Sequence, residues 1–190
     1  MQPILKDFPD HLETERLLLH APRAGDGHTV YEATLETLEN LRRWPYSMPW
    51  AQFEPSVEAS EAFCRTAQAA FLARTDMSML IFSKADSTFV GLTALHPTNW
   101  AIPKFEIGYW CRKSCEGQGY ITEAVRGLAA FARKELGARR LEIRQNASNL
   151  RSRNVAERAG FALEGILRND RIAADGAPDD TSIYGMSACT

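Results

Sequence analysis

The chain has 190 residues and only four cysteines, Cys64, Cys111, Cys115 and Cys189, and no two of them form a C-x-x-C pair. Its histidines lie far from them in sequence. That spacing argues against the common zinc frameworks, so no metal is expected, and it points to free thiols in a reducing, cytoplasmic setting. There is no apolar run near the length of a membrane span. Residues Met1 to Asp7 hold an acidic residue and no long apolar core, so no signal peptide is expected. Charge of one sign is also missing: the formal net charge is -2, so the chain as a whole has no pull toward nucleic acid or an anionic membrane. No repeat, low-complexity segment or composition break divides it, and one domain over 1–190 is expected. What remains is 45% hydrophobic and 24% charged, ordinary for a soluble globular chain long enough to bury a core.

Periodicity predicts the order of elements. A first strand runs over Arg16–His20 and is closed by Pro22. Asp26 can cap a helix with apolar positions Val30, Ala33, Leu35, Leu38 and Leu41. The segment Trp44-Pro45-Tyr46-Ser47-Met48-Pro49-Trp50 then reads as an ordered, non-helical loop. A second helix is expected from Ser56 to Arg74, with Val57, Ala59, Phe63, Ala67, Ala70 and Phe71 as its buried stripe. Strands at Met77–Phe82, Phe89–Leu95 and Phe105–Cys111 suit an antiparallel meander. A helix carrying Ile121, Ala124, Val125, Leu128, Phe131, Ala132 and Leu136 on one face stops at Gly137. Leu141–Gln145 is a strand and Asn149–Ala159 a short helix. Strands at Phe161–Leu167 and Ser182–Met186 follow, joined by a turn-rich stretch.

Between the fourth strand and the third helix lies Ser114-Cys115-Glu116-Gly117-Gln118-Gly119-Tyr120-Ile121-Thr122-Glu123-Ala124. No Gly-Lys-Ser/Thr follows, so this is not a Walker A loop. Thr122 stands where a dinucleotide fingerprint needs a third glycine or alanine. Two glycines one residue apart let successive backbone N–H groups point the same way, and the helix N-terminus behind them adds partial positive charge. Taken alone, the turn reads equally as an anion cradle or as strand-to-helix geometry. Six arginines between Arg139 and Arg158 leave two readings open, a solvated face or a landing area for phosphates.

The glycine turn with its Tyr120-Ile121-Thr122-Glu123-Ala124 helix start resembles the acetyl-CoA pyrophosphate loop of the GNAT acetyltransferase superfamily. The downstream Asn149-x-x-Ser152-x-x-Val155-x-x-x-x-Gly160-Phe161 resembles that family's second signature, and the likeness spans nearly the whole chain. Glu13-Thr14-Glu15-Arg16-Leu17-Leu18-Leu19, the Trp44-to-Trp50 loop and Phe105-Glu106-Ile107-Gly108-Tyr109-Trp110 resemble the Rim-type ribosomal-protein N-acetyltransferase branch. The resemblance implies an α+β (mixed α/β) fold, with a mostly antiparallel twisted sheet of about seven strands flanked by about four helices. It implies acetyl-CoA as cosubstrate, held by Ser114, Cys115, Glu116, Gly117, Gln118, Gly119, Tyr120 and Thr122. The backbone of Tyr109, Trp110 and Cys111, with Asn149 and Ser152, would hold the pantetheine arm, which requires the sheet to splay there. Two residues depart from the pattern. Ser114 stands where Gln or Arg is usual, and Glu116 is tolerable only if it points away from phosphate.

Acetyl transfer needs a neutral amine, a stabilised oxyanion and a protonated thiol leaving group. A free α-amine, with pKa near ~8, asks less of a base than a lysine ε-amine near ~10.4. Glu106 stands where the Rim-type branch places its glutamate, and acts as base through a water or is an edge-strand charge. Ala156 occupies the position of the tyrosine acid used by many relatives. Ser152 either delivers that proton or satisfies helix N–H groups. Asn149 reads as a helix cap, a pantetheine ligand or both. Cys111 and Cys115 read as bystander thiols. Trp44, Trp50 and Trp100, with Tyr46 and Phe53, are candidate walls of the acceptor channel, with core packing as the alternative. Asp170, Asp175, Asp179 and Asp180 either attract a cationic acceptor or line a solvated turn.

The expected acceptor is the N-terminal α-amine of a protein or peptide. The rival readings are a small amine (aminoglycoside, polyamine or amino acid) and a non-catalytic acyl-CoA-binding module. A monomer or homodimer is expected, without nucleic acid or membrane partners.

Overall fold

The structure, a computed structural model, describes residues 2–187; Cys189 lies outside the described residues. The order is β1 (His11–Glu13), β2 (Leu17–His20), α1 (Gly27–Arg42), α2 (Val57–Ala73), β3 (Met77–Ser83), β4 (Phe89–Asn99) and β5 (Lys104–Cys111), followed by α3 (Tyr120–Leu136), β6 (Arg140–Asn146), α4 (Leu150–Arg158), β7 (Ala162–Ile172) and β8 (Pro178–Ser187). Eight strands form one sheet in the order β1-β2-β3-β4-β5-β6-β8-β7. Neighbours run antiparallel except β5 and β6, which are parallel. The strand beyond the expected seven is β1. Three residues are too few to show a period, and only its pairing with β2 defines it.

Alternation along the strands separates two cores. Met77, Met79, Ile81, Phe105 and Ile107 face α3, where they meet Ala124, Val125, Leu128 and Ala132. Leu80, Phe89 and Trp110 point to the other face and pack with Val30, Ala33, Leu41 and Cys64 of α1 and α2. Each fully buried Leu, Ile or Phe in these layers contributes about 1.5–3 kcal/mol. All seven positions of the expected α3 stripe are buried. This helix stops because Gly137 takes a left-handed φ of 68° as its C-cap. The expected α2 stripe is corrected in part: Ala67 and Phe71 are buried as expected, but Val57, Ala59 and Phe63 are exposed, and Ser60 and Cys64 are buried in their place. The buried face follows contact with α1, where a Cβ on Gly27 would lie 2.5 Å from the Glu61 Cα. Small size, not apolarity, decides which residues fit such a contact.

Gly91 has a similar constraint beside the irregularity in the β3–β4 pairing. Its φ is +150°, and an added Cβ would lie 2.3 Å from the Trp110 carbonyl oxygen. Backbone cannot swing aside as a flexible side chain does. Gly91→Ala is therefore expected to destabilise the fold by about 2–5 kcal/mol, through strain and overlap. Urea unfolding measures this, and a midpoint equal to that of the unmodified chain would contradict it. Among the described residues, no helix is long and apolar enough to cross a membrane.

Candidate active site

The site begins where β5 and β6 part. Their parallel pairing covers only Lys104↔Arg140, Phe105↔Leu141 and Glu106↔Glu142. Beyond it β5 continues along β4 to Cys111↔Gly91, while β6 continues along β8 to Asn146↔Thr181. From Ile107 onward the β6-facing edge of β5 therefore has no strand partner among the described residues. Backbone donors and acceptors left open beside a cleft are ready to pair with an extended ligand. The cleft in this wedge has a volume of about 690 Å³.

The glycine turn closes one end. Gly117 and Gly119 both take φ of 78°, and a Cβ on Gly117 would enter open space rather than protein. Gly119 is also the N-cap of α3, without a side chain to occupy the first N–H groups of the helix. A concave backbone at a helix N-terminus is the geometry that receives phosphate. The turn is gripped from behind by the segment that precedes β2. Arg16 Nη1 donates to the Gln118 carbonyl at 3.1 Å, and Arg16 Nε donates to Glu123 at 2.6 Å. The hydroxyl of Thr14 and the backbone N–H of Arg16 also donate to Glu123, at 2.6 and 2.8 Å. Burial opposes the Glu123 charge, yet these bonds hold its carboxyl below the usual range.

The two departures in the loop find partners of their own. The Ser114 N–H donates to Glu36 at 2.6 Å, so this position braces the turn against α1. Glu116 accepts from Asn40 at 3.3 Å and from Arg151 at 2.5 Å, which neutralises it at the mouth of the cleft. The arginine-rich stretch divides between the two readings. Arg140, Arg144 and Arg153 pair with carboxylates, whereas Arg158 lines a second groove of about 410 Å³ with Arg16 and Arg126, next to Gly119 and Thr122.

Glu106 lies at the last paired position before the wedge, part-buried and facing the α1–α2 side of the sheet. Burial raises its pKa above the usual carboxylate value, against the opposing pull of His96, Arg144 and Arg171. His96 is its cross-strand partner on β4. The His96 Nδ1 donates to Asp76, and that bond raises the imidazole pKa. Across the cleft, α4 is capped by Asn149, whose Oδ1 accepts from the Ser152 N–H at 3.1 Å. The Tyr109 hydroxyl donates to the Ser152 carbonyl at 3.0 Å and lies 2.9 Å from the Ser152 Oγ. Among the described residues, the amide group of Asn149 has no protein partner. Gln145 Oε1 on β6 is buried and likewise has no hydrogen-bond partner among them.

Several expected positions lie elsewhere. Trp44 lines the cleft. Trp50 stands outside it, 42% exposed and tilted against Trp110 at 6.0 Å. Trp100 packs edge-on against Phe105 at 5.0 Å, at the turn end of the β4–β5 hairpin and away from the wedge. Burial pushes the Cys111 thiol up to about 12 and raises that of Cys115 as well, so neither is poised as a nucleophile. Of the final-loop acids, Asp170 faces Arg144 at 3.5 Å and Asp179 accepts from Asn146 and Ser148. His96, Gln145 and Arg171 line the cleft without having been expected there, and Arg144 of the arginine-rich stretch lines it too. Of these, His96 and Arg171 lie just beyond the expected ends of their strands, so their strand register could not place them.

A splayed sheet, a glycine cradle at a helix start and a part-buried carboxylate at the wedge define an acyl-CoA-dependent transferase. The family described as acetyltransferase (GNAT) domain matches residues 16–162, and the chain belongs to it. It resembles the ribosomal-protein-serine acetyltransferase of Escherichia coli, with 30% identity over 175 residues that cover 90% of this chain and 92% of that protein. The likeness places it with the Rim-type branch. Among solved structures, the Microcin C7 self immunity acetyltransferase MccE in complex with acetyl-CoA and AMP superposes with a TM-score of 0.84. The match has 23% identity and covers 95% of this chain and 98% of that one. The RimL ribosomal L7/L12 alpha-N-protein acetyltransferase in complex with coenzyme A gives 0.81 at 22% identity, covering 92% and 95%. At those identities the two structures speak for the fold. The protein is thus an acetyl-CoA-dependent N-acetyltransferase, and the open β5 edge, the Gly117–Gly119 cradle and the orphaned Gln145 oxygen suit that cosubstrate.

Proposed function

We propose that the chain, as a single GNAT domain, acetylates the α-amine at the N-terminus of a protein, with Glu106 as the general base. The observation that carries this reading is Glu106 itself, part-buried at the point where β5 and β6 separate, with its pKa raised toward the working range. The α-amine pKa of ~8 leaves a workable neutral fraction near neutral pH, which suits a base of this strength. The name of the Escherichia coli relative supports a protein acceptor.

Bound acetyl-CoA supplies the activated acyl group as a thioester. Gly117, Gln118 and Gly119, with the first N–H groups of α3 at Tyr120 and Thr122, hold its pyrophosphate. The open backbone of Tyr109, Trp110 and Cys111 holds the pantetheine arm, with the Asn149 amide and Gln145 Oε1 as side-chain partners. Ser114 and Cys115 shape the turn, and Glu116 is kept from repelling phosphate by Arg151. Glu106 takes the proton of the incoming ammonium, directly or through a water. The neutral amine attacks the thioester carbonyl carbon, and the new N–C bond forms as the C–S bond breaks. The Ser152 Oγ, linked to the Tyr109 hydroxyl, gives a proton to the departing thiolate sulfur and regains one from solvent. Trp44 walls the acceptor lobe.

Turnover with acetyl-CoA across a panel of N-terminal peptides and a panel of small amines tests the acceptor. Acetylated peptides are expected. Acetylation confined to aminoglycosides, polyamines or other small amines would sink this reading, and CoA binding without turnover on any amine would leave a non-catalytic module.

A further inference from the structure

Two charged side chains among the described residues are buried outright, Glu142 and Arg171. Glu142 is balanced: Lys104 lies 2.8 Å from it and Arg140 2.7 Å. Arg171 is not. The residue is 5% exposed and lines the cleft, and each hydrogen-bond partner it has among the described residues is neutral. Nε donates to the Thr181 hydroxyl at 2.6 Å, and Nη1 donates to Ser47 Oγ at 2.7 Å and Asn146 Oδ1 at 3.0 Å. The Tyr46 ring lies 4.6 Å from the guanidinium centre.

Asp170, Asp179 and Glu106 act on the guanidinium through space without pairing with it. Asp179 accepts from Asn146 and Ser148, and Asp170 faces Arg144 at 3.5 Å. No carboxylate among the described residues forms an ion pair with Arg171, and its Nη2 donates to no protein acceptor among them. A guanidinium stays charged even when buried, and a buried charge without a counter-charge is costly. A positioned fork with one free nitrogen suits a carboxylate supplied from outside.

Glu106 shares the lobe, close enough for the Arg171 charge to act on it. The cleft thus presents both a carboxylate and a guanidinium. A dianion such as phosphate would meet repulsion from Glu106, whereas an acceptor with an amine and one carboxylate matches both charges. We infer that Arg171 recognises a carboxylate carried by the acceptor close to its amine, so that preferred acceptors are zwitterionic at the reacting end. The inference rests on the reading of Glu106 as the residue that meets the amine. The carboxylate has two possible sources, an acidic side chain near a polypeptide N-terminus or the α-carboxylate of a free amino acid.

The test compares kcat/KM of the full chain on peptides with Asp or Asn at each of the first few positions, and on free amino acids beside their amides. The unmodified protein is expected to prefer the acid over the amide by roughly tenfold or more at one position, expressed mainly in KM. In Arg171→Gln the two series should converge, with acetyl-CoA affinity and circular dichroism retained. Equal use of acid and amide by the unmodified protein, or turnover of neither, overturns the inference whatever the variant does. An equal loss on both series in the variant also overturns it, since Arg171 would then only clamp the Tyr46–Ser47 loop. An acid preference confined to free amino acids upholds the carboxylate subsite and overturns the protein acceptor, which separates the two failures.

Discussion

Glu106→Gln is expected to lower kcat roughly 10²–10⁴-fold, the usual range for loss of a general base, while acetyl-CoA affinity changes by less than about twofold. The change keeps the shape of the side chain and removes its ability to take a proton. It also leaves untouched the glycine turn and the β5 edge, where the cosubstrate is held. The pH profile carries a second signature. Glu106 works deprotonated, so kcat rises with pH through its pKa. Burial places that pKa above the usual carboxylate value, against the pull of His96, Arg144 and Arg171. The acid limb of kcat should therefore lie above ~4.3 in the unmodified protein and vanish in the variant. A variant that keeps both its rate and its acid limb would remove Glu106 from the chemistry.

Gly119→Val is expected to fail at the opposite step. Gly119 combines a φ of 78° with the N-cap of α3 and is overlaid by Arg16, whose Nη2 lies 3.7 Å from an added Cβ. A left-handed conformation costs an L-residue about 1–2 kcal/mol, and more when it is β-branched. Relaxing that strain turns the N–H groups of the cradle away from one another. Acetyl-CoA affinity should fall at least roughly tenfold, the equivalent of about 1.4 kcal/mol. The helix itself should survive, because its apolar face is buried along its whole length. Gly165→Ala is the control: its site is open and its φ is ordinary. Calorimetric titration with acetyl-CoA checks both variants. Unchanged affinity in Gly119→Val would move the pyrophosphate site away from this turn.

How far the sequence could be read depended on whether the signal was local. The apolar stripe of α3, the glycines around it and the Asn149 cap of α4 are set by residues a turn or two apart, and all are where periodicity and capping rules put them. The strand ends depend on partners far along the chain. Long pairing carries β4 past Pro97 to Asn99 and lengthens the β7–β8 hairpin to Ile172 and Pro178. His96 and Arg171 lie in those extensions, so two of the cleft's charged groups stayed hidden. The α2 stripe was misread for a related reason: close contact with α1 selects Ser60 and Cys64 over Phe63. Aromaticity alone did not separate Trp44 in the cleft from Trp50 and Trp100 outside it, because an indole buries as well in either place. The Thr14-x-Arg16 segment was legible as a family likeness, but its task needed the structure: it holds Glu123 and the Gln118 carbonyl, and so the glycine turn.

Fragment-ion mass spectrometry of a lysine-containing peptide, incubated with the protein and acetyl-CoA, tests the central claim most directly. Transfer to a protein N-terminus predicts the acetyl group on the α-amine, with the lysine side chain unmodified. An acetyl group on the lysine, or none on the peptide while small amines are acetylated, would contradict it.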